Sequence, residues 1–292
     1  VTLGVSAGSE NLTGLDATLV WSEDSTYAYS VIEQERSDGS DLPSESSDGT
    51  RENFSPNLDH ISTYSEVSWN DIVLSMYYAN ERFNVASAGT GFLEEPMDVE
   101  FLNVMLDYKT EVSDQITWSS YAIYSELEGD FNSLEGVLEL PGHSFGAESR
   151  FDFVHGNHSV LMGAHIDRAT IEFTSFLDRM TADNWYGFSE YRYQYEDHWG
   201  ISGGVQYNDH ENYEPHWLFR TGVHYQLSPR YGVKLLYSEA YRTPSLLESD
   251  SNTVVVVSNP DLEPEEIQTW DLQWFYQFEK HQGSITLFRT EY

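Results

Sequence analysis

Two neighbouring residues, Tyr241 and Arg242, have the side chains best suited to binding an anionic ligand. A guanidinium forms charge-assisted and often bidentate hydrogen bonds with anions, and an aromatic ring offers a face for stacking or for a cation. The pair therefore suits a ligand that is anionic or carries catecholate groups. Arg242 is also within reach of nearby carboxylates such as Glu239, Glu248 or Glu265, and in that case it would only fix the local chain geometry.

A run of four valines, Val254 to Val257, follows Tyr241 and Arg242 within the same polar connection. Such a run would form either a short strand or an apolar contact with a ligand. We therefore predict that Val255 and Val257 line the ligand site together with Tyr241 and Arg242.

The segment from Asn208 to Trp217 contains two histidines and two glutamates that could hold a divalent metal, His210, Glu211, Glu214 and His216. An accidental grouping in an exposed loop is the simpler interpretation, so His210 and His216 are only weak metal candidates. Acidic stretches at 45–52 and 177–183 would permit calcium binding, although solvated loops explain them equally. The chain has no cysteine, and no His-Glu-x-x-His motif is present. We predict that the protein is not an enzyme and needs no cofactor.

The charge balance excludes one class of partner. Lys and Arg number 14 against 49 Asp and Glu, which gives a formal net charge of -35. Binding to nucleic acid requires a basic surface, so we expect no nucleic-acid partner. Aromatic residues make up 15% of the chain, which is a first indication of a membrane barrel with aromatic girdles.

The elements that would position these residues are strands, because the dominant hydrophobic period is two. No stretch reaches the length of an apolar transmembrane helix. The predicted strands run to about 10–14 residues, which is long for soluble proteins and matches strands that cross a bilayer. The alternating apolar positions in the clearest segments are Leu102, Val104, Leu106 and Tyr108; Tyr191, Tyr193 and Tyr195; Trp199, Ile201, Val205 and Tyr207; Phe219, Val223, Tyr225 and Leu227; and Trp270, Leu272, Trp274, Tyr276 and Phe278.

The connections between these strands alternate in length. Short turns, as at Ser228-Pro229-Arg230, alternate with long polar connections near 36–57, 84–97, 129–143, 169–183, 209–216 and 240–266. A transmembrane barrel has short turns on one rim and long loops on the other, whereas a propeller would repeat a motif in every blade. The sequence predicts an all-β, antiparallel transmembrane β-barrel with about 15 strands in one domain spanning 1–292. Both ends read as strands in progress, so we expect a partial barrel.

Two short segments flank the longest connection and resemble those of TonB-dependent outer-membrane receptors. The first contains Tyr241, Arg242 and Pro244, and the second runs Asn-Pro-Asp-Leu-x-Pro-Glu into an alternating strand. The resemblance is specific over residues 230–280 and architectural elsewhere. The members of the second segment are Asn259, Pro260, Asp261, Leu262, Pro264 and Glu265.

The resemblance implies a receptor in the outer membrane of a Gram-negative bacterium. It implies about 22 strands around an N-terminal plug, so the plug, the segment that contacts TonB and about seven strands would be absent from this chain. The expected partners are outer-membrane lipid, TonB and a scarce metal chelate, most commonly a ferric siderophore. Receptors for cobalamin or haem are alternatives within the family, although no histidine lies between the two segments, as haem receptors have. A passive porin-like channel and a soluble β-protein are alternatives outside it.

Overall fold

A computed structural model shows a chain built almost entirely of antiparallel strands. The structure describes residues 1–39, 42–45, 51–54, 57–86, 94–133, 136–139, 141–172, 179–196, 198–249 and 259–292. Among the described residues, no helix is long and apolar enough to cross a membrane.

Eighteen strands and one short helix make up the described secondary structure. The first nine strands are β1 (Thr2–Ala7), β2 (Thr13–Glu23), β3 (Thr26–Ser37), β4 (Leu42–Glu45), β5 (Arg51–Phe54), β6 (Leu58–Trp69), β7 (Ile72–Ala86), β8 (Glu94–Ser113) and β9 (Ile116–Ser133). They are followed by β10 (Gly136–Glu139), β11 (Gly142–His155), β12 (His158–Ile171), β13 (Met180–Tyr195), β14 (Trp199–His210), β15 (Tyr213–Ser228) and β16 (Tyr231–Arg242). The helix α1 (Leu246–Ser249) precedes β17 (Glu265–Gln277) and β18 (Gln282–Glu291).

Fifteen strands are hydrogen-bonded in a simple order, β1-β2-β3-β6-β7-β8-β9-β11-β12-β13-β14-β15-β16-β17-β18. β10 pairs with β9, and β4 and β5 form a separate hairpin. Each strand of the main order neighbours the next one along the chain, as in an up-and-down barrel wall. Within the described residues β1 and β18 each pair with a single neighbour, so the sheet is unclosed. The predicted all-β antiparallel class and the estimate of about 15 strands are confirmed.

The strands extend further than the hydrophobic pattern indicates. The connection predicted over 209–216 is a two-residue turn, Glu211–Asn212, because β14 continues to His210 and β15 begins at Tyr213. Likewise, β7 and β8 extend into the connection predicted over 84–97. Backbone pairing does not require apolar side chains, so a ladder continues where hydrophobic alternation has ended. The prediction of a long loop at 209–216 is therefore wrong.

Several of the short turns use the left-handed backbone region. Asp24 and Asn70 have φ angles of 50°, and Gly156 has a φ angle of 57°. Asn, Asp and Gly adopt this region most readily, and it matches the twist of the strands that tight hairpins join. These turns fix the register of the hairpins that they close.

The chain forms two compact units. The first comprises Val1–Tyr108, Tyr121–Phe145 and Ala169–Thr181, and the second comprises Lys109–Ser120, Gly146–Arg168 and Ala182–Tyr292. In the first unit, the carboxylate of Glu66 accepts hydrogen bonds from the hydroxyls of Tyr27 and Tyr64. This interaction ties β3 to β6.

The second unit has one strongly aromatic face, which we call the tryptophan face. Near one end of the strands it carries Trp185, Tyr207 and Trp217. The ring centre of Tyr207 lies 5.3 Å from that of Trp185 and 4.8 Å from that of Trp217. Near the other end it carries three cross-strand partners, Tyr195, Trp199 and Tyr225. Between the two aromatic rows lie mainly apolar side chains such as Ile201, Val205, Phe219 and Val223.

Hydrophobic side chains in this fold lie on a face rather than in a core. Among the described residues, the buried hydrophobic ones are Ala79 and Ala182. Trp217 is 57% exposed and Trp69 is 59% exposed. Contiguous apolar surface of this kind needs an apolar partner such as lipid or another protein surface.

Two glycines of the second unit allow a matched test of strand packing. A Cβ atom on Gly163 would lie 2.8 Å from the backbone oxygen of Ser149 and 2.7 Å from the Phe188 ring, whereas one on Gly203 would meet no atom within 4 Å. We expect Gly163→Ala to lower the free energy of unfolding by about 1–3 kcal/mol, the usual cost of overpacking. Gly203→Ala should leave it unchanged or slightly raised. Urea unfolding in lipid vesicles, followed by tryptophan fluorescence, measures both, and equal effects would contradict the packing described here.

Candidate functional site

Arg242, the last residue of β16, is held by two carboxylates. Its Nε and one terminal nitrogen donate to Glu265 at 3.0 and 3.2 Å, and its terminal nitrogens approach Glu248 at 3.3 and 3.5 Å. Glu265 is its cross-strand partner at the start of β17, while Glu248 belongs to α1. We call these three residues the arginine clamp, because one guanidinium joins the end of β16, the helix and the start of β17.

The helical part of the clamp is fixed by a capping box. The backbone nitrogen and hydroxyl of Ser245 donate to Glu248 at 2.8 and 3.0 Å, and the Glu248 nitrogen donates back to the Ser245 hydroxyl at 3.3 Å. These bonds from Ser245, and then the Arg242 guanidinium, hold the pKa of the Glu248 carboxyl below its ordinary value. Glu248 is therefore ionised at neutral pH. Because its folded-state pKa is lowered, its contribution to the clamp is lost as the pH falls through that value.

The second sequence segment is joined to the first by its backbone. Asn259 donates its backbone N–H to the carbonyl of Glu248 at 3.0 Å, and its own side chain accepts from the nitrogen of Asp261 at 3.1 Å. The Leu262 nitrogen bonds to the Asn259 carbonyl at 3.2 Å, so this stretch forms a turn around Pro260. Pro264 then leads into β17, and Pro244 separates β16 from α1. The two segments recognised in the sequence thus form one local structure at the base of the connection.

Tyr241 lies beside Arg242 but on the opposite face of β16, since neighbouring side chains of a strand alternate. Its cross-strand partner is Glu266, and it shares a face with Tyr237 and Trp270. Its ring stacks on His216 at 4.7 Å, and the Nε2 atom of His216 lies 2.5 Å from a carboxylate oxygen of Glu266. Val255 and Val257, which complete the predicted ligand site, lie outside the described residues.

The two weak metal candidates have separate surroundings. His210 accepts a hydrogen bond from the backbone of Asn212 at 3.2 Å and its ring lies 5.1 Å from that of Tyr213. His216 instead contacts Glu266, as described above. Within the described part of the chain, no group of three or more histidine and acidic side chains is arranged to hold a metal ion.

One Gly-x-Ser-x-Gly pattern occurs at residues 4–8, where Ser6 occupies the serine position. In hydrolases this pattern forms a sharp turn between a strand and a helix that exposes the serine. Here Ser6 lies within β1, which leads through a tight turn to β2 rather than to a helix. The structure therefore does not give Ser6 the setting of a nucleophile.

A polar hollow of about 790 Å³, which was not predicted from the sequence, lies on the face of the second unit opposite the tryptophan face. Its lining includes Glu190, which is buried, the two exposed arginines Arg192 and Arg220 that pair with it, and Lys234. The sequence does indicate a charged strand face at this place, because Glu190 and Arg192 alternate with tyrosines. A row of glycines on the next strand added a second signal. Only the register between strands brings these positions together.

Comparison with known proteins identifies the architecture. The TonB dependent receptor-like, beta-barrel family matches residues 4–292. No match was found among curated protein sequences.

Solved structures of the same fold include two transporters and a siderophore receptor. The FrpB iron transporter from Neisseria meningitidis has a TM-score of 0.79 at 11% identity, over 99% of this chain and 54% of that one. The siderophore receptor PirA from Pseudomonas aeruginosa has a TM-score of 0.72 at 15% identity, with coverages of 96% and 51%. The copper transporter OprC has a TM-score of 0.74 at 12% identity, with coverages of 98% and 53%.

The chain thus spans about half the length of the solved structures that it matches. At these identities the structural likeness shows a shared fold, and the family match over nearly every residue adds the sequence relationship. The chain belongs to the TonB-dependent receptor β-barrel family.

Proposed function

We propose that this chain is the barrel portion of an outer-membrane receptor that imports a scarce metal chelate, most specifically a ferric siderophore, with energy supplied through TonB. The family match over residues 4–292 carries this proposal. Members of this family are transporters rather than enzymes. Two of the compared structures are named as an iron transporter and a siderophore receptor, which favours iron, and one is named as a copper transporter. In this proposal residues 1–292 act as one barrel domain, and TonB contacts a region N-terminal to it.

The tryptophan face supports a location in lipid. Trp217 and Tyr225 are eight positions apart on β15, and Trp199 and Tyr207 are eight positions apart on β14. At about 3.3 Å per residue this corresponds to about 26 Å along a strand, and strand tilt shortens it across the bilayer. Transmembrane barrels have an apolar band about 25 Å tall between two aromatic girdles. We take the aromatic rows as these girdles and the host as a Gram-negative bacterium.

The arginine clamp supports a ligand site at the outer end of the strands. Longer connections, including 243–264, leave the strands at the end where Arg242 lies, and tight turns such as that between β15 and β16 close the other end. In this proposal Arg242, Val255 and Val257 belong to the outer vestibule. Tyr241, predicted together with them, projects to the side of the tryptophan face and in this proposal borders the vestibule at its rim. Arg242 contributes chiefly by fixing where the connection leaves the wall, since Glu248 and Glu265 already engage its guanidinium.

The location can be tested by cysteine labelling, because the chain contains no native cysteine. Asn212 lies in an exposed turn at the proposed outer end, and Lys280 lies in an exposed turn at the opposite end. In intact cells, Asn212→Cys should react with a membrane-impermeant maleimide, while Lys280→Cys should react only after permeabilisation. Equal labelling of both in intact cells, or recovery of the full-length product in the soluble fraction, would refute the proposed location.

The clamp can be tested by comparing substitutions on both sides of the ion pair. Arg242→Ala and Glu248→Gln should each weaken binding of the transported chelate by about two- to fivefold, because an exposed ion pair contributes little more. Arg230→Gln, at the other end of β16, is the matched control and should bind normally. Equilibrium binding to the purified full-length product measures all three. If Arg242→Ala alone weakens binding, the arginine contacts the ligand directly; if neither does, the clamp has no part in binding.

The transported chelate can be identified by uptake in a strain that lacks its own receptors. Cells producing the full-length product should accumulate labelled iron from at least one ferric siderophore, and this uptake should disappear when TonB is deleted. Uptake of copper in place of iron would redirect the proposal to a different metal. Uptake that is independent of TonB would instead support a passive channel.

A further inference from the structure

In the lining of the polar hollow of the second unit, cationic side chains outnumber carboxylates, which is the opposite of the chain as a whole. Its lining includes three cationic side chains, Arg192, Arg220 and Lys234, and two carboxylates, Glu190 and Asp271. The whole chain has 14 basic residues against 49 acidic ones. A local excess of cations in so acidic a protein marks the surface to which an anion would be attracted.

Strand register brings these charges onto one face. Residues that are cross-strand partners project to the same side of a sheet, and the pairings define three adjacent rows about 7 Å apart along the strands. The rows are Glu190, Gly204, Arg220 and Ser238; Arg192, Ser202, Gly222, Leu236 and Asp271; and Gln194, Gly200, His224, Lys234 and Gln273.

Small residues form the floor of the hollow and create its volume. A Cβ atom on Gly204 would lie 2.7 Å from Nε and 2.9 Å from Cγ of Arg220. The absence of a side chain therefore lets Arg220 lie flat across β14 and reach Glu190. A Cβ atom on Gly222 would similarly lie 2.9 Å from the hydroxyl of Ser202.

Glu190 holds the two guanidiniums in position without neutralising them. It is 7% exposed, and its carboxylate oxygens contact Nε of Arg192 and a terminal nitrogen of Arg220, the latter at 3.0 Å. One carboxylate thus serves two arginines. Among the described residues no other carboxylate lies within ion-pair distance of Arg192 or Arg220, and both arginines line the hollow.

Lys234 adds a further positive charge on the third row. Its Nζ lies 5.3 Å from the centre of the Phe275 ring, and within the described part of the chain no carboxylate pairs with it. Contact with a ring leaves the ammonium able to accept an anionic partner. Two arginine forks and an ammonium around an open space match a ligand with several carboxylates.

We propose that this hollow is a binding site for a carboxylate-rich anion on the inner wall of the barrel. The anion would be the transported chelate as it passes through the lumen, and this assignment rests on the proposed function. A carboxylate could also come from an acidic polypeptide segment that occupies the lumen, and the experiment below separates these two sources.

Citrate, a small tricarboxylate, is the probe. Calorimetric titration of citrate into the full-length product in detergent should show binding that weakens as salt is raised. Arg220→Gln and Lys234→Gln should each weaken it about tenfold, the effect of losing a hydrogen bond to a charged group. Gly204→Ala should weaken it as well, because the new methyl group displaces Arg220 from Glu190.

Two matched controls make the result specific. Arg289→Gln removes the same charge from the opposite face, where Arg289 is the cross-strand partner of Trp270. Gly203→Ala adds a methyl group on the side away from the hollow. Both should bind citrate within twofold of the parent, and heat-modifiable mobility on gels should show that all five variants are folded.

Three results would overturn the site. They are no citrate binding by the parent, equal loss in variants and controls, or citrate binding that appears only after an acidic segment is removed from the lumen by proteolysis. The last would assign the hollow to a polypeptide. Siderophore uptake tests the proposed function separately. Citrate binding without uptake would support the anion site and refute the proposed transport function. Uptake without citrate binding would support transport and refute the anion site.

Discussion

Pairing of backbone hydrogen bonds between neighbouring strands is the constraint on which the rest of this structure depends. A chain in lipid has no water to satisfy unpaired N–H and C=O groups, so a sheet in that setting must supply every partner through its own ladder. Fifteen strands of the chain meet this demand by pairing with their sequence neighbours. Because successive side chains then alternate between two faces, each strand must serve two environments at once.

The two faces explain why the described part of the chain has no conventional core. In the second unit, apolar side chains are collected on one face, where aromatic rows bracket an aliphatic band, and polar side chains are collected on the other. The side chains that would ordinarily stabilise a soluble protein by burial are about half exposed here, as for Trp217 and Phe219. In the proposed location, lipid takes the place that a second layer of structure would have in a soluble domain.

Charge is used in two different ways on the polar side and at the strand ends. In the arginine clamp, one cation meets two carboxylates that are both exposed, so its value is geometric: it fixes the direction in which a connection leaves the wall. In the polar hollow, one buried carboxylate meets two cations, so a positive surface remains. In the first arrangement the carboxylates outnumber the cation, and in the second the cations outnumber the carboxylate, which is why we propose an anion site only for the second.

The sequence by itself determined the alternation, the strand class and the family, because the period of two and the segments around Arg242 and Asn259 are local properties of the chain. It also placed Glu248 and Glu265 among the carboxylates available to Arg242. The pattern could not show where a strand with polar residues ends, since backbone pairing continues without apolar side chains, and the loop predicted at 209–216 proved to be a tight turn. Tertiary structure alone decided the partner of Tyr241, whose ring stacks on His216 of a different strand. Likewise, Glu190, Arg220 and Lys234 lie on three different strands, and only the register of those strands, set by turns and pairing, brings their charges around one hollow.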